Sequence, residues 1–313
     1  MSRYSIKTFG FRGTWGQIQR IEEGFRRLGH HVADESEDFD FIYSNELLQG
    51  RDAYACKKQT GKPLIRHIQD LPAQEGTRGE KSVDELRIHR AAVLETADVI
   101  TTNTHFVVEQ FKRYWNYDGA IVVGQPVQFD PDLAGFRTRP RRNIAVIVGR
   151  LADPLKNTDL ALRALSLLKK PPDLAMVWVG KAKHKPRSWF RRFRIEHYVE
   201  IPAPALAKLV KEARMLLAPS LFEGLGLPPI EALAVGTPAI VSDIPVKREV
   251  FADTPMRFHD PHDPADLARA IQSYLDDEEL GWRLVEAFAP KVANYTVEGV
   301  AAKIVAAYET LKR

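Results

Sequence analysis

The feature of this 313-residue sequence that most restricts its fold is an alternation, repeated twice, of short β-rich runs with amphipathic helical runs. The run Tyr4 to Phe11 is followed by a glycine-containing loop and then by helical spacing of apolar residues from Gln17 to Leu28. The same rhythm restarts with a strand pattern from Asn143 to Val148 and a helical pattern from Thr158 to Leu168. Such alternation predicts parallel strands with helices packed on the sheet, so we expect two doubly wound α/β domains.

The boundary between the two halves is expected in the segment Phe129 to Arg142, which contains two prolines and four arginines and is typical of an interdomain linker. We therefore expect one domain over residues 1–135 and a second over residues 140–290. Residues 291–313 contain the final helical pattern. Ligands of such domains bind outside the carboxyl ends of the strands, and two domains that face each other form a cleft.

Composition excludes several classes of protein. A content of 44% apolar and 27% charged residues is that of an ordinary soluble globular chain. The single cysteine, Cys56, excludes an intrachain disulfide framework and a cysteine-rich zinc site. The N-terminus lacks the apolar region of a signal peptide, and no apolar run reaches the length of a transmembrane helix. We expect a cytoplasmic protein without a transmembrane segment.

The segment from Ala218 to Gly236 carries the most chemical information. A predicted strand ends there and is followed by a glycine loop, Glu223 to Leu227, and by a helix that begins near two prolines. The free N–H groups of such a loop and helix start form an anion site. Glu223 and Glu231, with seven residues between them, suit hydroxyl groups better than phosphate, so the segment indicates a nucleotide sugar, unless both are solvated or capping carboxylates.

A second segment supplies two cations after the strand that ends at Gly149. Arg150 and Lys156 follow this strand, and two cations at the carboxyl edge of a parallel sheet suit a diphosphate. Either residue alone is also compatible with an ordinary surface charge.

Together these segments resemble a known family. GRL…KN after residue 148, PSLFEGLGLPPIEALAVGTPAIVSD from residue 219 and NYTVEGVAAKIVAAYETL at the end resemble the retaining GT-B glycosyltransferases of family 4. The N-terminal half is similar in outline, through RRLGHHV, PLIRHIQDLP and ADVITTNTHFVVEQF. The resemblance implies a GT-B fold of two Rossmann-like domains facing a cleft. It also implies an acceptor-side first domain, a donor-binding second domain and a final helix that crosses back to the first.

The resemblance also implies roles for individual residues. Arg150 and Lys156 would bind the donor diphosphate, Glu223 the hydroxyls of the transferred sugar, and Glu231 the ribose hydroxyls. The remaining donor-binding positions would be Gly13, Gly149, Ser220, Gly224, Leu225, Gly226 and Leu227. The family generally acts without a bound metal, so the resemblance implies no cofactor here, and it implies that positive side chains and helix dipoles stabilise the leaving nucleotide.

The sequence departs from the family pattern at three places. Where the family has a histidine before the aspartate of the strand Pro63 to Asp70, this chain has Gln69, with His67 two residues earlier. Residues 67 and 69 of a strand point the same way, so either His67 substitutes or Gln69 and Asp70 fill the role. His67 is also compatible with a core histidine, and Asp70 with a turn cap. The other departures are Gly124-Gln125-Pro126-Val127 for Pro-Asn-Gly-Val, and Lys181 to Arg194 for a long helix.

Positive charge is densest in the segment Lys181 to Arg194, which has seven Lys and Arg residues and no acidic residue, so the net charge of +4 is an average over this segment and more acidic sequence elsewhere. Aromatic residues are interleaved with these cations, so the segment is compatible with anionic lipid headgroups or nucleic acid as well as with a solvated face. We keep a peripheral location at a membrane surface open.

The sequence thus predicts transfer of a sugar, with retention, from a UDP- or GDP-sugar to a hydroxyl of a glycan, a lipid or another acceptor. One alternative is a sugar-nucleotide epimerase or phosphorylase on the same fold. Another is a module that acts on nucleic acid through its basic surface.

Overall fold

The computed structural model describes residues 2–10, 16–34, 36–45, 50–71, 83–128, 142–179 and 193–313. The chain divides into two compact units. The first unit comprises Met1–Pro126 together with Ala293–Arg313, and the second comprises Val127–Val292. The sequence-based linker falls at residues 129–142, of which 129–141 lie outside the described residues.

The first unit contains a parallel sheet of six strands, in the order β2-β1-β3-β4-β5-β6. Its strands are β1 (Ser5–Phe9), β2 (His31–Val32), β3 (Phe41–Ser44), β4 (Leu64–Ile68), β5 (Val99–Thr102) and β6 (Ile121–Val122). Its first strand lies between β2 and β3, so the chain progresses to opposite sides of β1. The inner strands β3, β4 and β5 are buried at every position, as expected for parallel strands covered on both faces.

Helices cover both faces of this sheet. They are α1 (Gln17–Arg27), α2 (Gly50–Thr60), α3 (Val83–Leu94), α4 (His105–Trp115) and, from the end of the chain, α11 (Val297–Glu309). The helix α4 begins with a side-chain cap, in which the Thr104 hydroxyl accepts a hydrogen bond from the Val107 N–H.

The helix α11 completes the core of the first unit although it follows the second unit in the sequence. Ile304 and Tyr308 pack in one cluster with Ile18 and Phe25 of α1, and the rings of Tyr308 and Phe41 stack with centroids 4.3 Å apart. A Cβ at Gly24 would lie 2.1 Å from the Val297 carbonyl oxygen, so glycine permits the close approach of α1 and α11.

The second unit contains another six-stranded parallel sheet, in the order β12-β11-β10-β7-β8-β9. Its strands are β7 (Ile144–Gly149), β8 (Asp173–Trp178), β9 (Ile195–Val199), β10 (Met215–Ala218), β11 (Ala239–Ser242) and β12 (Arg257–His259). Two parallel six-stranded sheets with interleaved helices confirm the prediction of two doubly wound α/β domains.

The helices of the second unit alternate with these strands. They are α5 (Thr158–Leu167), α6 (Ala203–Glu212), α7 (Leu227–Ala234), α8 (Pro245–Val250), α9 (Pro264–Asp276) and α10 (Glu278–Phe288). One core cluster joins β7, β8 and β10 to α5 and α9, with Ala145, Leu165 and Ile271 fully buried. No helix of the described residues is long and apolar enough to cross a membrane.

Candidate functional site in the second unit

The topology of the second sheet brings two of the predicted segments together. The first strand, β7, and the later strand β10 are neighbours, while β8 lies on the far side of β7 and β11 on the far side of β10. The loops after β7 and β10 therefore leave the sheet in opposite directions, which opens a crevice at the carboxyl ends of these two strands. The loop after β7 carries Arg150 and Lys156, and the loop after β10 carries residues 220–226.

Lys156 and Glu223 form an ion pair in this crevice. The Lys156 Nζ lies 2.6 Å from Glu223 Oε1, and the Ser220 hydroxyl donates to the same oxygen at 2.8 Å. The two charged side chains are only 19% and 15% exposed, so the pair is screened little by water. The predicted cation and the predicted sugar-binding carboxylate are thus in direct contact.

The loop after β7 is built to present Lys156. Residues Pro154–Lys156 form a short 3-10 turn, and the Asp153 carboxylate caps it by accepting from the Leu155 N–H. The Leu221 N–H donates to the Leu155 carbonyl at 2.8 Å, which ties this turn to the loop after β10. The backbone therefore fixes the position from which Lys156 reaches Glu223.

Two lysines set the charge state of Glu223. Burial raises the pKa of Glu223, but the charges of Lys156 and Lys247 and hydrogen bonds from Lys156 and Ser220 lower it, and the net shift is downward. The carboxylate is therefore ionised at neutral pH and accepts hydrogen bonds only.

Arg150 occupies a different environment from Lys156. Its side chain is 67% exposed, and its guanidinium lies 3.8 Å from the Asp153 carboxylate. The second predicted cation is therefore at the surface of the same loop, whereas Lys156 is enclosed against Glu223. Gly149 lies beneath Lys156, whose Cε would be 3.5 Å from a Cβ at that position.

The glycine loop leads directly into α7. Gly224, Leu225 and Gly226 are buried, and Gly226 has a φ of +78°, a left-handed conformation that favours glycine. Leu227 is the first residue of α7, and it is followed by two prolines without N–H groups. The N–H groups of Gly226 and Leu227 are thus the donors that this helix start offers to an anion.

Glu231 lies on α7, in the interior of the unit. Its side chain is 4% exposed, and Oε1 accepts a hydrogen bond from the Gln128 N–H at 2.9 Å. A buried carboxylate on this helix is a hydrogen-bond acceptor, as the predicted role toward ribose hydroxyls requires.

A lysine that sequence reasoning missed lies behind the glycine loop. Lys247, on α8, is fully buried, and its Nζ lies 3.2 Å from each of the carbonyl oxygens of Leu225 and Gly226. Burial lowers the pKa of Lys247 to about 8, with Glu223 acting to raise it and Lys156 to lower it further. The sequence offered one signal, the position of Lys247 soon after β11. The carboxyl end of β11 lies at the same edge of the sheet as that of β10, which carries the glycine loop.

In the first unit the structure encloses His67. This residue lies on β4 and is 1% exposed, with Nδ1 3.1 Å from the Thr101 hydroxyl and Nε2 3.0 Å from Asn103 Oδ1. Asn103 in turn donates to the Gln69 carbonyl at 2.8 Å. Because both ring nitrogens have protein partners, the geometry gives His67 the role of fixing Asn103.

Gln69 and Asp70 lie beyond the end of β4, which is Ile68. The strand alternation that would align residues 67 and 69 therefore stops before Gln69, whose side chain is exposed while His67 is buried. The Gln69 amide donates to Asn45 Oδ1 at 3.2 Å, which links the carboxyl ends of β3 and β4. Asp70 is half-buried.

The sequence of the second unit matches a known family. Residues 130–289 match the family described as Glycosyl transferases group 1. The match spans just over half of the chain. The chain belongs to this family.

Curated relatives of this group 1 glycosyltransferase have a common name. The chain is 25% identical over 318 aligned positions to the D-inositol 3-phosphate glycosyltransferase of Corynebacterium diphtheriae, covering 89% of this chain and 71% of the relative. It is 27% identical to the Streptomyces avermitilis protein of the same name, covering 80% of this chain and 61% of the relative.

Solved structures resemble the whole fold of this group 1 glycosyltransferase. Anabaena HepE in complex with UDP and glucose superimposes with a TM-score of 0.74 at 16% identity, covering 98% of this chain and 99% of HepE. Sucrose-phosphate synthase from Thermosynechococcus elongatus superimposes with a TM-score of 0.70 at 21% identity, covering 88% of this chain and 74% of the synthase. Both likenesses show the GT-B fold.

Two of the sequence-based predictions concern residues that the structure does not describe. Gly13 lies in the undescribed segment 11–15, and residues 181–192 of the basic segment Lys181 to Arg194 are also outside the description.

The buried state of His67 predicts a pH-dependent stability. Burial lowers the pKa of His67 to about 4, against which the Asn103 hydrogen bond acts in the opposite direction. Between this pKa and the usual value near 6.5, the unfolded chain binds more protons at this histidine than the folded chain does. The contribution of His67 to the free energy of unfolding is therefore fully present above pH 6.5 and is lost as the pH falls toward 4. We expect protonation of His67 to lower the free energy of unfolding by about 3 kcal/mol between pH 6.5 and pH 4.

The measurement is the melting temperature of the wild type and His67→Gln at pH 7.5 and pH 5. The difference between the two proteins should change with pH in favour of the variant at pH 5. His262→Gln, a change at an exposed histidine, is the control. A His67→Gln difference that is the same at both pH values would contradict the buried, neutral state.

Proposed function

We propose that this chain transfers a sugar from a nucleoside diphosphate sugar, of the UDP or GDP type, to a hydroxyl of a glycan, lipid or other acceptor. The observation that carries this proposal is the Lys156–Glu223–Ser220 cluster beside the glycine loop, at the switch point of the second sheet. Cation and carboxylate side by side suit a ligand that joins phosphate to polyol, because the first binds phosphate oxygens and the second binds hydroxyls.

In this proposal the donor diphosphate lies at the start of α7. The N–H groups of Gly226 and Leu227 and the ammonium of Lys156 then stabilise the negative charge that grows on the departing nucleotide. Arg150, at the exposed side of the same loop, adds a second cation as the diphosphate binds. Because these groups are fixed before the reaction, little reorganisation is needed as charge develops.

The two glutamates take different parts of the donor. Glu223, ionised and partly exposed, accepts hydrogen bonds from hydroxyls of the transferred sugar, and Glu231 accepts them from the ribose. Transfer proceeds with retention, the acceptor attacking from the face that the nucleotide leaves, without a bound metal. The family resemblance supports these finer points, together with placement in family 4.

The relatives and neighbours support the choice of substrates to test. HepE is described with UDP and with UDP-glucose, which supports a UDP-sugar as donor. The relatives' name supports D-inositol 3-phosphate as one acceptor to include. The chain spans less than two thirds of the Streptomyces avermitilis relative, so the acceptor assay covers glycan and lipid-linked hydroxyls as well.

The test is a screen of UDP-, GDP- and ADP-sugars by thermal shift and by release of the nucleotide. One donor should raise the melting temperature of the wild type, and Glu231→Gln should bind it about tenfold more weakly, because a ribose hydroxyl loses a charged acceptor. Absence of binding by every donor would contradict the proposal. Epimerisation of a donor without an acceptor would favour the epimerase alternative instead.

A further inference from the structure

The buried lysine of the second unit has an unusual set of neighbours. Lys247 is fully buried, and its ammonium bonds to two backbone carbonyls, those of Leu225 and Gly226. The charged groups that act on it are Glu223, on the loop after β10, and Lys156, on the turn after β7. The ring of Phe251 lies on a further side, with its centroid 6.0 Å from Nζ.

A buried ammonium with these neighbours does not by itself favour the folded state. An ammonium buried against neutral carbonyls loses its hydration, and an apolar side chain of similar volume in such a place is often neutral or stabilising. Glu223, the nearby anion, accepts its hydrogen bonds from Lys156 and Ser220, whereas the Lys247 ammonium donates to backbone carbonyls. The local stability of the loop therefore does not account for a charge at this position.

The contacts of Lys247 determine which way two peptide groups of the glycine loop face. In a planar trans peptide the C=O and N–H bonds point in opposite directions. Because the carbonyls of Leu225 and Gly226 face the ammonium, the N–H groups of Gly226 and Leu227 face away from it. These are the two donors at the start of α7 that precede its prolines.

The Lys247 ammonium packs so closely on Gly226 that no side chain fits there. A Cβ at Gly226 would lie 1.8 Å from Lys247 Nζ and 3.3 Å from Glu223 Cγ. Glycine at residue 226 thus allows the ammonium to approach the backbone on one side while Glu223 packs on the loop. Lys247 also contributes to keeping Glu223 ionised.

We propose that Lys247 is a positioning residue of the donor site, which turns the N–H groups of Gly226 and Leu227 toward the donor diphosphate and adds its charge to the potential there. This inference rests on the proposed function. It assigns to Lys247 an effect on the phosphates and none on the nucleoside. A residue that only stabilised the loop would affect both parts of the nucleotide together.

The experiment compares Lys247→Met with the wild type, using UDP or GDP, whichever the wild type binds, and the matching nucleoside, uridine or guanosine. We expect the variant to bind the diphosphate about tenfold more weakly, to bind the nucleoside unchanged, and to melt at the same or a higher temperature. Lys291→Met is the matched control, since Lys291 also donates to a backbone carbonyl of this unit, that of Ala252.

Two further variants keep the test decisive if Lys247→Met does not fold. Lys247→Gln retains a donor without the charge and should show a smaller loss of diphosphate affinity. Gly226→Ala places a methyl group on the ammonium and should reproduce the loss. Gly61→Ala, at a φ of +69° with no atom within 4 Å of the new Cβ, is its control for backbone conformation alone.

The outcomes separate this inference from the proposed function. A wild type that binds neither nucleotide overturns both. A wild type that binds, with Lys247→Met binding the diphosphate equally well, overturns the inference alone. Equal losses for the diphosphate and the nucleoside, or a loss in Lys291→Met of the same size, also overturn it.

Discussion

Replacement of Glu223 by glutamine is expected to lower turnover about 10²-fold or more, while the affinity for the nucleotide changes far less. The Glu223 carboxylate oxygen accepts from both Lys156 and Ser220. A glutamine is of the same size, but it carries no charge and offers two donors of its own to a site that already contains donors. In the proposed function, hydroxyls of the transferred sugar therefore lose their acceptor, and this interaction matters most as the sugar is released from the nucleotide.

The measurement is kcat and KM for the donor that the wild type uses, together with direct nucleotide binding. Glu278→Gln is a matched control, because Glu278 also pairs with a cation, Arg214, at 2.8 Å, but on a helix outside the glycine loop. Full activity of Glu223→Gln, or a loss seen only in nucleotide affinity, would contradict the role assigned to Glu223.

Replacement of Lys156 by methionine is expected to weaken both binding and turnover, with a combined loss of about 10²-fold in kcat/KM. The variant removes the cation that the proposed function places at the diphosphate, and it leaves the Glu223 carboxylate, 15% exposed, with one fewer partner. Losing the partner of a buried charge costs about 2 kcal/mol of unfolding free energy, so the melting temperature should fall as well.

The double variant Lys156→Met/Glu223→Gln separates the two contributions. Its melting temperature should recover relative to Lys156→Met, because no unpaired carboxylate remains, while its activity stays low. Lys208→Met, at an exposed lysine of α6, is the control for loss of charge. Additive stability losses in the double variant would show that the 2.6 Å pair contributes nothing.

Hydrophobic periodicity was sufficient to predict most of the fold. The helical patterns from Gln17 to Leu28 and from Thr158 to Leu168 are confirmed by α1 (Gln17–Arg27) and α5 (Thr158–Leu167), because apolar residues at helical spacing mark the face that packs on the sheet. The elements that were missed are mainly short or at the sheet edges: β2 with two residues, β12 with three and α8 with six. Such elements carry too few residues for a period to be visible, and their pairing with neighbouring strands determines them.

The sequence predicts those site residues that lie close together along the chain. Residues Ser220, Glu223 and Gly226 lie within one loop, and the structure places them together at the carboxyl edge of the sheet. The ion pair between Lys156 and Glu223 joins two loops 67 residues apart, and no spacing rule specifies it. Lys247 was missed for the same reason, because a lysine on a short helix reads as a surface charge until the burial of that helix is known.

Because α11 belongs to the first unit, the unit whose synthesis begins first is not the unit that can complete its fold first. On the ribosome, α1 with Ile18 and Phe25 is made early, but the helix that covers it, with Ile304 and Tyr308, is made after the whole second unit. The second unit is contiguous in the chain, so its core is complete while that of the first still exposes the apolar surface of α1. The first unit therefore completes its core only after the whole chain has been made, although its strands leave the ribosome first.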